Sequence, residues 1–202
     1  MGGRGALDNR SKPSLSLGRR VFYGSVILAA VPVIYLFVGR GMRFFRVPSN
    51  SMEPAIHVSD YIMTLRQEGY RRGDIVVLED PTAGGEYIVK RIIAVGGDRI
   101  SIRGGAVFIN GGYASEPYRL EPIDYSMEEY LVDEGDVFLL GDNGNWSVDS
   151  HDWAAGIEDS DTVQPGGVPG DLIVGRVRYI YLPLDRMQKL RSYPLRFLGG
   201  AA

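Results

Sequence analysis

The chain contains no cysteine and only two histidines. The lack of cysteine excludes a thiol nucleophile, a thiolate metal site and disulfide bonds, and it is compatible with an exported domain. Because His57 and His151 are the only imidazoles, a histidine-rich metal site is not expected. The sequence therefore predicts neither a metal nor another cofactor.

Lysine is also scarce. Lys90 is the only lysine between Val47 and Ile180, and arginine fills almost all other basic positions. It lies within the apolar, strand-like run 87–93. Arginine stays protonated in proteins, whereas a buried lysine can lose its proton. The lysine at this position therefore indicates a neutral amine that acts as a base.

Negative charge is scarce at the N-terminus and abundant afterwards. Residues 1–46 carry eight Lys/Arg and one acidic residue, a net charge of +7, whereas residues 47–202 carry fourteen and twenty-four, a net charge of −10. Nucleic acid binding needs a basic face, so the acidic part argues against nucleic acid as a partner. The basic part suits an anionic lipid surface.

One long run, Val21 to Gly39, has no charged side chain. At about 1.5 Å per residue it covers roughly the 30 Å of a bilayer's hydrocarbon. A cleavable signal peptide is an alternative, but its apolar region usually has only about 7–15 residues. A buried helix of a soluble domain is another, but basic residues bracket both ends of the run like interfacial anchors. We therefore predict an uncleaved transmembrane helix over 21–40.

The flanking segments follow from this helix. Residues 1–20 are rich in Gly, Arg and Ser without apolar periodicity, which predicts a flexible basic tail. The slight excess of basic residues before the run favours a cytoplasmic N-terminus. Residues 41–202 are then an extracytoplasmic domain, and the chain is a single-pass protein of the cell membrane.

Beyond Val47 the pattern changes to short β-rich runs separated by Gly-Asp and Asn-Gly turns. This density of strands predicts a mainly β fold, an antiparallel sandwich or a partly open barrel. The predicted strands are 61–65, 74–78, 87–95, 99–102, 106–109, 136–140 and 172–181. The small, acidic, Gly- and Pro-containing segment 154–167 is predicted to be a surface loop. The amphipathic segment 184–198 either lies on the bilayer or is a solvent-facing terminus.

A serine-bearing turn, VPSNSMEP at 47–54, follows the apolar run closely. A serine hydroxyl is a weak nucleophile and needs a base within hydrogen-bond reach, which a buried lysine can provide once burial lowers its pKa. The Ser-Lys pair is an established variant of the catalytic triad. Together the two features predict a serine hydrolase with a lysine base that works at a membrane surface.

Four blocks in one order resemble bacterial type I signal peptidase, the membrane-bound serine protease that removes signal peptides from exported proteins. They are the nucleophile block 48–54 (PSNSMEP), the strand 72–77 (RGDIVV), the lysine block 87–98 (YIVKRIIAVGGD), and LGDN at 140–143 followed by SVDS at 147–150. The resemblance runs from the membrane segment to about Pro183. It implies the signal peptidase fold for the β domain and a Ser-Lys endopeptidase activity.

The resemblance implies the roles of the reacting residues. Ser51 matches the nucleophile and Lys90 the general base. Ser49 matches the serine whose hydroxyl joins the Ser51 backbone N–H in an oxyanion hole, where two donors can stabilise the transition state by a few kcal/mol. Ser147 matches the serine that orients the lysine.

Further residues of the last block are implied to be structural and close to the site: Asp142, Asn143, Asp149 and His151. His151 stands where the family usually has arginine, so its contact with Asp149 should be weaker and dependent on pH around neutrality. An alternative makes His151 the base, as in eukaryotic-type relatives. Those relatives have histidine in place of the lysine, and since Lys90 is present we favour the lysine. His57 is expected to be an ordinary polar residue, and 154–167 looks like an insertion.

Substrate choice should follow from shape. If a peptide binds as an added strand, alternate side chains enter pockets. Shallow apolar pockets would select the A-x-A pattern that precedes the cleavage site in signal peptides. By motif position the pockets would be lined by Val47, Pro48, Met52, Ile56, Ile88 and Val89, although each is equally explicable as a core residue. We also expect Phe44 and Phe45 to dock the domain on the lipid bilayer.

Three functions remain open at this point. The first is a general processing protease for exported preproteins. The second is a specialised relative that matures one exported substrate, of the conjugation or pilus type. The third is an inactive, membrane-tethered module that binds exported chains, against which the retention of both serines and the lysine speaks.

Overall fold

The computed structural model describes residues 16–39, 41–153, 166–193 and 196–198 of the 202-residue chain. The chain divides into two compact units, Met1–Gly39 and Arg40–Ala202. Two predicted segments fall largely outside the described residues. These are residues 1–15 of the N-terminal tail and residues 154–165 of the surface loop.

The described residues of the N-terminal unit form the α-helix α1, Leu17–Gly39, with Pro32 inside it. The tail predicted over 1–20 is therefore too long, because the helix extends through Arg19 and Arg20, which are good helix formers. Among the described residues no helix has the length and apolar character needed to cross a membrane. The transmembrane helix predicted over 21–40 is accordingly not confirmed.

The second unit is built from short strands. They are β1 (Met42–Arg46), β2 (Tyr61–Leu65), β3 (Ile75–Glu79), β4 (Tyr87–Val95), β5 (Arg99–Arg103), β6 (Ala106–Ile109), β7 (Gly112–Ser115), β8 (Met127–Leu131), β9 (Asp136–Leu140), β10 (Val168–Pro169), β11 (Ile173–Leu182), β12 (Gln188–Lys189) and β13 (Arg196–Leu198). Short 3₁₀ helices at Gly144–Trp146, Gly170–Leu172 and Leu184–Arg186 connect some of them.

These strands form two antiparallel sheets. One has eight strands, in the order β1-β2-β11-β3-β4-β9-β10 with β12 paired to β11, and the other has five, in the order β13-β7-β6-β5-β8. Each described pairing is antiparallel. The prediction of a mainly β, antiparallel fold is confirmed.

The seven predicted strands all form, with ends within one residue of those observed. The strands that the sequence did not predict are β1, β7, β8, β10, β12 and β13. The first of these reads MRFFR and β8 reads MEEYL, and both lie at sheet edges with mostly exposed side chains. Exposed edges tolerate charged residues, so they lack the apolar pattern that identifies a strand.

The central strand β4 positions the site. Its residues from Val89 to Ala94 are all buried, which is expected for a strand covered on both faces. Across the pairing with β3, Val77 lies opposite Val89 and Val76 lies opposite Lys90. Alternation therefore sends Val89 into one core cluster, with Met52 and Ile56, and directs Lys90 to the opposite face.

Candidate active site

The turn that carries Ser51 is fixed by backbone hydrogen bonds and by the burial of Met52. The N–H of Val47 donates to Asp60 O at 2.9 Å, and the N–H of Ile56 donates to Met52 O at 3.0 Å. Met52 is 1% exposed and packs in the same apolar cluster as Val89. Burial of the residue directly after Ser51 holds the serine at the edge of the core, where it is itself only 8% exposed.

Ser49 lies beside Ser51. Their hydroxyl oxygens are 3.3 Å apart, and either can be the donor. Ser49 is exposed whereas Ser51 is buried, so this pair spans the boundary between solvent and core. The resemblance implied that the Ser49 hydroxyl joins the Ser51 backbone N–H in an oxyanion hole, and in the structure the Ser49 hydroxyl contacts the Ser51 side chain.

Lys90 is 4% exposed. Its Nζ donates a hydrogen bond of 2.6 Å to Ser147 Oγ, which is also buried. Burial lowers the pKa of Lys90, and the carboxylates of Asp149, Asp80 and Asp152 oppose this by raising it. The net shift of the pKa is downward, so the Lys90 amine loses its proton more readily than the amine of an exposed lysine does.

The end of β9 brings the serine turn and Ser147 together. The N–H of Asn143 donates to Ser51 O at 2.9 Å, and its side-chain amide donates to Asn50 O at 3.3 Å. Within the described part of the chain, Ser51 Oγ is hydrogen-bonded to Ser49 and not to Lys90. Asn143 thus lies against the turn that carries Ser51.

Gly141 is a residue of the site that the sequence did not single out. A Cβ at this position would lie 2.6 Å from Ser51 O and 2.6 Å from Ser147 Cβ, with the Ser147 hydroxyl closer still. Only a residue without a side chain allows these two serines to approach the same backbone. The sequence signal was present in the Gly141-Asp142 dipeptide, but such pairs are usually turn residues.

Asp142 forms a buried ion pair with Arg91 through hydrogen bonds of 2.7 and 2.6 Å. Both side chains are almost completely shielded from solvent. Arg91 also donates to Gly73 O at 3.0 Å and stacks on the ring of Tyr118, 4.0 Å from its centroid. Burial raises the pKa of Asp142 even though Arg91 lowers it. The pair ties the turn after β9 to β4.

Asp149 and His151 are in contact, as the sequence predicted, with His151 Nδ1 2.7 Å from Asp149 Oδ1. The other ring nitrogen, Nε2, lies 3.1 Å from Asp152 Oδ1. The three residues place possible metal-ligand atoms within 4.8 Å of one another. However, both ring nitrogens already face carboxylate oxygens, so the imidazole directs no lone pair toward an open metal position.

Within the part of the chain that the structure describes, neither histidine ring is hydrogen-bonded to Ser51. Besides the two carboxylates, the His151 ring contacts Tyr125, on which it stacks. His57 is half-buried, and its backbone N–H donates to Asp60 Oδ2 at 2.8 Å. Neither contact directs an imidazole nitrogen at Ser51.

The residues expected to line substrate pockets divide into two groups. Four of them are at most 9% exposed and pack together in one core cluster: Val47, Met52, Ile56 and Val89. Pro48 is exposed and Ile88 is half-buried, against a different cluster. Of this set, only Pro48 and Ile88 are therefore accessible to a bound peptide.

The sequence profile of the family described as "Signal peptidase, peptidase S26" matches residues 20–182. The chain belongs to this signal peptidase family. The resemblance drawn from the four motif blocks is confirmed by this match.

Individual relatives agree with the family. The chain is 34% identical over 172 residues to thylakoidal processing peptidase 1 of Arabidopsis thaliana, covering 78% of this chain and 47% of that one. It is 30% identical over 168 residues to probable signal peptidase I-1 of Synechocystis, covering 75% and 80%. The chain thus spans about half the length of the plant relative and four fifths of the cyanobacterial one.

A solved structure is also similar. It is a signal peptidase I from Enterococcus faecalis V583, with 25% sequence identity and a TM-score of 0.43, and the match covers 55% of this chain and 98% of that one.

Proposed function

We propose that this signal peptidase family member is a serine endopeptidase that removes N-terminal signal peptides from exported preproteins, with Ser51 as nucleophile and Lys90 as general base. The observation that carries the proposal is the buried hydrogen bond of 2.6 Å between Lys90 and Ser147, next to the turn that holds Ser51. A lysine amine kept out of water and without a carboxylate in hydrogen-bond contact is suited to accept a proton.

The first step requires the hydroxyl of Ser51 to lose its proton to Lys90 Nζ while Ser51 Oγ attacks the carbonyl carbon of the scissile bond. The Ser51 hydroxyl faces Ser49 at 3.3 Å, so it has to turn toward Lys90 when substrate binds. Catalytic hydrogen bonds commonly tighten only in the complex with substrate. Ser147 supports this step by accepting a hydrogen bond from the amine, which fixes the direction of Nζ.

The tetrahedral intermediate carries a negative oxygen that needs donors. In this proposal the Ser49 hydroxyl and the Ser51 backbone N–H supply them. The protonated Lys90 then gives its proton to the leaving amine as the peptide bond breaks. A water molecule, deprotonated by the neutral lysine, hydrolyses the acyl-enzyme and restores Ser51.

Substrate recognition in this proposal uses the surface beside the nucleophile. Pro48 is exposed and Ile88 is half-buried, so these two can contact small side chains before the cut. Val47, Met52, Ile56 and Val89 are buried in the core cluster on the opposite face of β4 from Ile88. We expect this surface to accept alanine at the first and third positions before the cut, the A-x-A pattern of signal peptides.

The decisive experiment incubates the full chain in detergent with a preprotein and compares it with Ser51→Ala. Cleavage at the A-x-A site by the native chain alone supports the proposal. Ser49→Ala should retain cleavage but lose about 10²–10³ in kcat, the usual effect of removing an oxyanion donor. Binding of the preprotein without cleavage, and no reaction of Ser51 with a covalent serine inhibitor, would instead identify a binding module.

A panel of signal peptides separates a general enzyme from a dedicated one. Cleavage of many unrelated A-x-A substrates at similar kcat/KM supports general processing. Cleavage of a single member would point to the specialised alternative of the conjugation or pilus type.

We also propose that catalysis takes place at the extracytoplasmic face of a membrane. Support comes from the basic sequence before residue 47 and from exposed aromatic and apolar side chains. Phe44 is 57% exposed and packs edge-on against Tyr181, with ring centroids 5.4 Å apart. Removing residues 1–40 should preserve cleavage of short peptides but slow the processing of bilayer-inserted preprotein. Equal rates for both forms on inserted preprotein would contradict this location.

A further inference from the structure

His151 has both ring nitrogens directed at carboxylates. Nδ1 lies 2.7 Å from Asp149 Oδ1 and Nε2 lies 3.1 Å from Asp152 Oδ1. The ring of Tyr125 lies flat on the imidazole, with centroids 3.8 Å apart and planes 9° apart. The side chain is 17% exposed, and that of Asp149 is fully buried. The imidazole is therefore fixed in position and in orientation.

This arrangement suits one protonation state of the ring. A neutral imidazole has a single N–H, so it can donate to only one of the two carboxylates and must direct a lone pair at the other. The imidazolium has two N–H groups and donates to both. The contacts of Asp149 and Asp152 with His151 are thus both satisfied only when the ring is a cation.

The same two carboxylates act on Lys90. Burial lowers the pKa of Lys90, and Asp149, the strongest of the opposing charges, raises it, together with Asp80 and Asp152. Two of these three groups touch His151 directly. A positive charge on His151 therefore offsets part of the negative potential that Lys90 experiences.

Asp149 also connects His151 to the backbone of the site. Its second oxygen, Oδ2, accepts a hydrogen bond of 2.8 Å from the N–H of Gly141. Gly141 is the residue against which Ser51 O and Ser147 pack. One carboxylate therefore joins the imidazole to the point where the serine turn and Ser147 meet.

We propose that His151 is a positioning residue whose charge controls how readily Lys90 becomes the neutral base, acting through Asp149 and Asp152. The inference rests on the proposed function of Lys90. A protonated His151 favours the neutral amine, whereas a neutral His151 leaves the negative charge of the two carboxylates uncompensated and so favours the protonated amine. Arginine at this position would carry a permanent charge.

Other groups that face the imidazole do not reproduce this effect. Tyr125 stacks on the ring, and burial raises the pKa of its hydroxyl, so the phenol stays neutral. Arg119 and Glu116 also act on the pKa of Tyr125, but they carry opposite charges and form an ion pair with each other. The remaining charged partners of His151 are Asp149 and Asp152.

The test is a titration of Lys90 that does not depend on activity. The only lysines of the chain are Lys12, Lys90 and Lys189, so NMR of chains labelled with ¹³C at lysine Cε gives three signals, and Lys90→Met assigns one of them. The titration midpoint of Lys90 should lie about one pH unit lower in His151→Arg than in His151→Gln, a tenfold difference in proton affinity. Identical midpoints in the two variants would overturn the proposal.

The matched control removes the other histidine. His57→Gln should leave the Lys90 midpoint where it is in the native chain, because the carboxylates that act on Lys90 are Asp149, Asp80 and Asp152, and none of the described contacts of His57 involves them. A shift in this control as large as that between the His151 variants would show that the effect is not specific, and would also count against the proposal.

Enzyme kinetics then separate positioning from a merely structural role. The acidic limb of the pH profile of kcat/KM should move with the NMR midpoint, while the plateau of His151→Arg stays within about tenfold of the native value. If the plateau value of kcat/KM falls while the acidic limb of its pH profile stays at the native pH, His151 only supports the fold. If the native chain cleaves no peptide at any pH, the proposed function fails, and the NMR titration still decides whether His151 and Lys90 are coupled.

Discussion

Lys90 Nζ and Ser147 Oγ lie 2.6 Å apart, and both residues are buried. The amine reaches this hydroxyl from the centre of β4, whereas Ser147 follows the turn after β9. A charged ammonium in this place would have three donors and lose most of its hydration. The hydroxyl supplies one partner without supplying a countercharge, which is the arrangement that a basic, neutral lysine requires.

The first prediction concerns this amine. Lys90→Arg should be as inactive in peptide cleavage as Lys90→Ala, because the guanidinium cannot become neutral and so cannot act as the base. Steady-state cleavage of a signal-peptide substrate measures the effect. The control Lys189→Arg alters an exposed residue of β12 and should leave the rate unchanged. Turnover of Lys90→Arg near the native level would rule out the Ser-Lys pair.

The second prediction concerns pH and stability. The folded chain lowers the pKa of Lys90, so between the folded and unfolded pKa values the unfolded state binds more protons, and the free energy of unfolding rises with pH. The penalty for charging the buried amine is complete below the folded pKa and is gone above the unfolded pKa. Activity should increase over the same range as the amine becomes free.

Substitution by methionine measures this penalty. Lys90→Met removes the ionisable group, so its stability gain over the native chain should be largest near neutral pH and should shrink as the solution becomes alkaline. Urea unfolding at several pH values gives the comparison, with Lys189→Met as the control that leaves the slope unchanged. A gain that grows with pH would have the wrong sign and would contradict a lowered pKa.

The third prediction concerns Gly141. Gly141→Ala should abolish cleavage, because the new Cβ would lie 2.6 Å from Ser51 O and would push apart the serine turn and Ser147. The control is Gly84→Ala, since no atom lies within 4 Å of a Cβ at that position. Cleavage assays and thermal melts of both variants give the comparison. Gly141→Ala with native activity would show that the close approach of the two serines is not needed.

The sequence predicted the structure best at positions where the type of residue has only one physical explanation. The lysine in an apolar strand predicted a buried amine, and Lys90 is buried against a hydroxyl. Strands with buried faces were equally predictable, because β4 is apolar except for Lys90 and Arg91, and β11 alternates between buried and more exposed residues. Short-range patterns of this kind follow from burial alone.

Other parts of the site could not be predicted because they depend on contacts between distant segments. Gly141 looks like any turn glycine until Ser51 is seen to pack against it. Tyr125 has no motif, and its contact with His151 joins two different loops. Likewise β1 is a strand because β2 pairs with it, although its own side chains are mostly exposed. Tertiary contacts decided these features, and the local sequence does not distinguish them from ordinary turn and surface residues.

The last prediction concerns the ion pair that supports the turn after β9. Asp142→Asn should lower the free energy of unfolding by about 3–5 kcal/mol, because it leaves the buried guanidinium of Arg91 without its countercharge. Glu129→Gln is the matched control, since the Arg99–Glu129 pair is more than half exposed on both sides and should change stability by less than about 0.5 kcal/mol. Urea unfolding measures both. The turn contains Asn143, which holds Ser51 O, so Asp142→Asn should also reduce kcat. Equal, small changes in the two variants would show that the buried pair contributes no more than the exposed one.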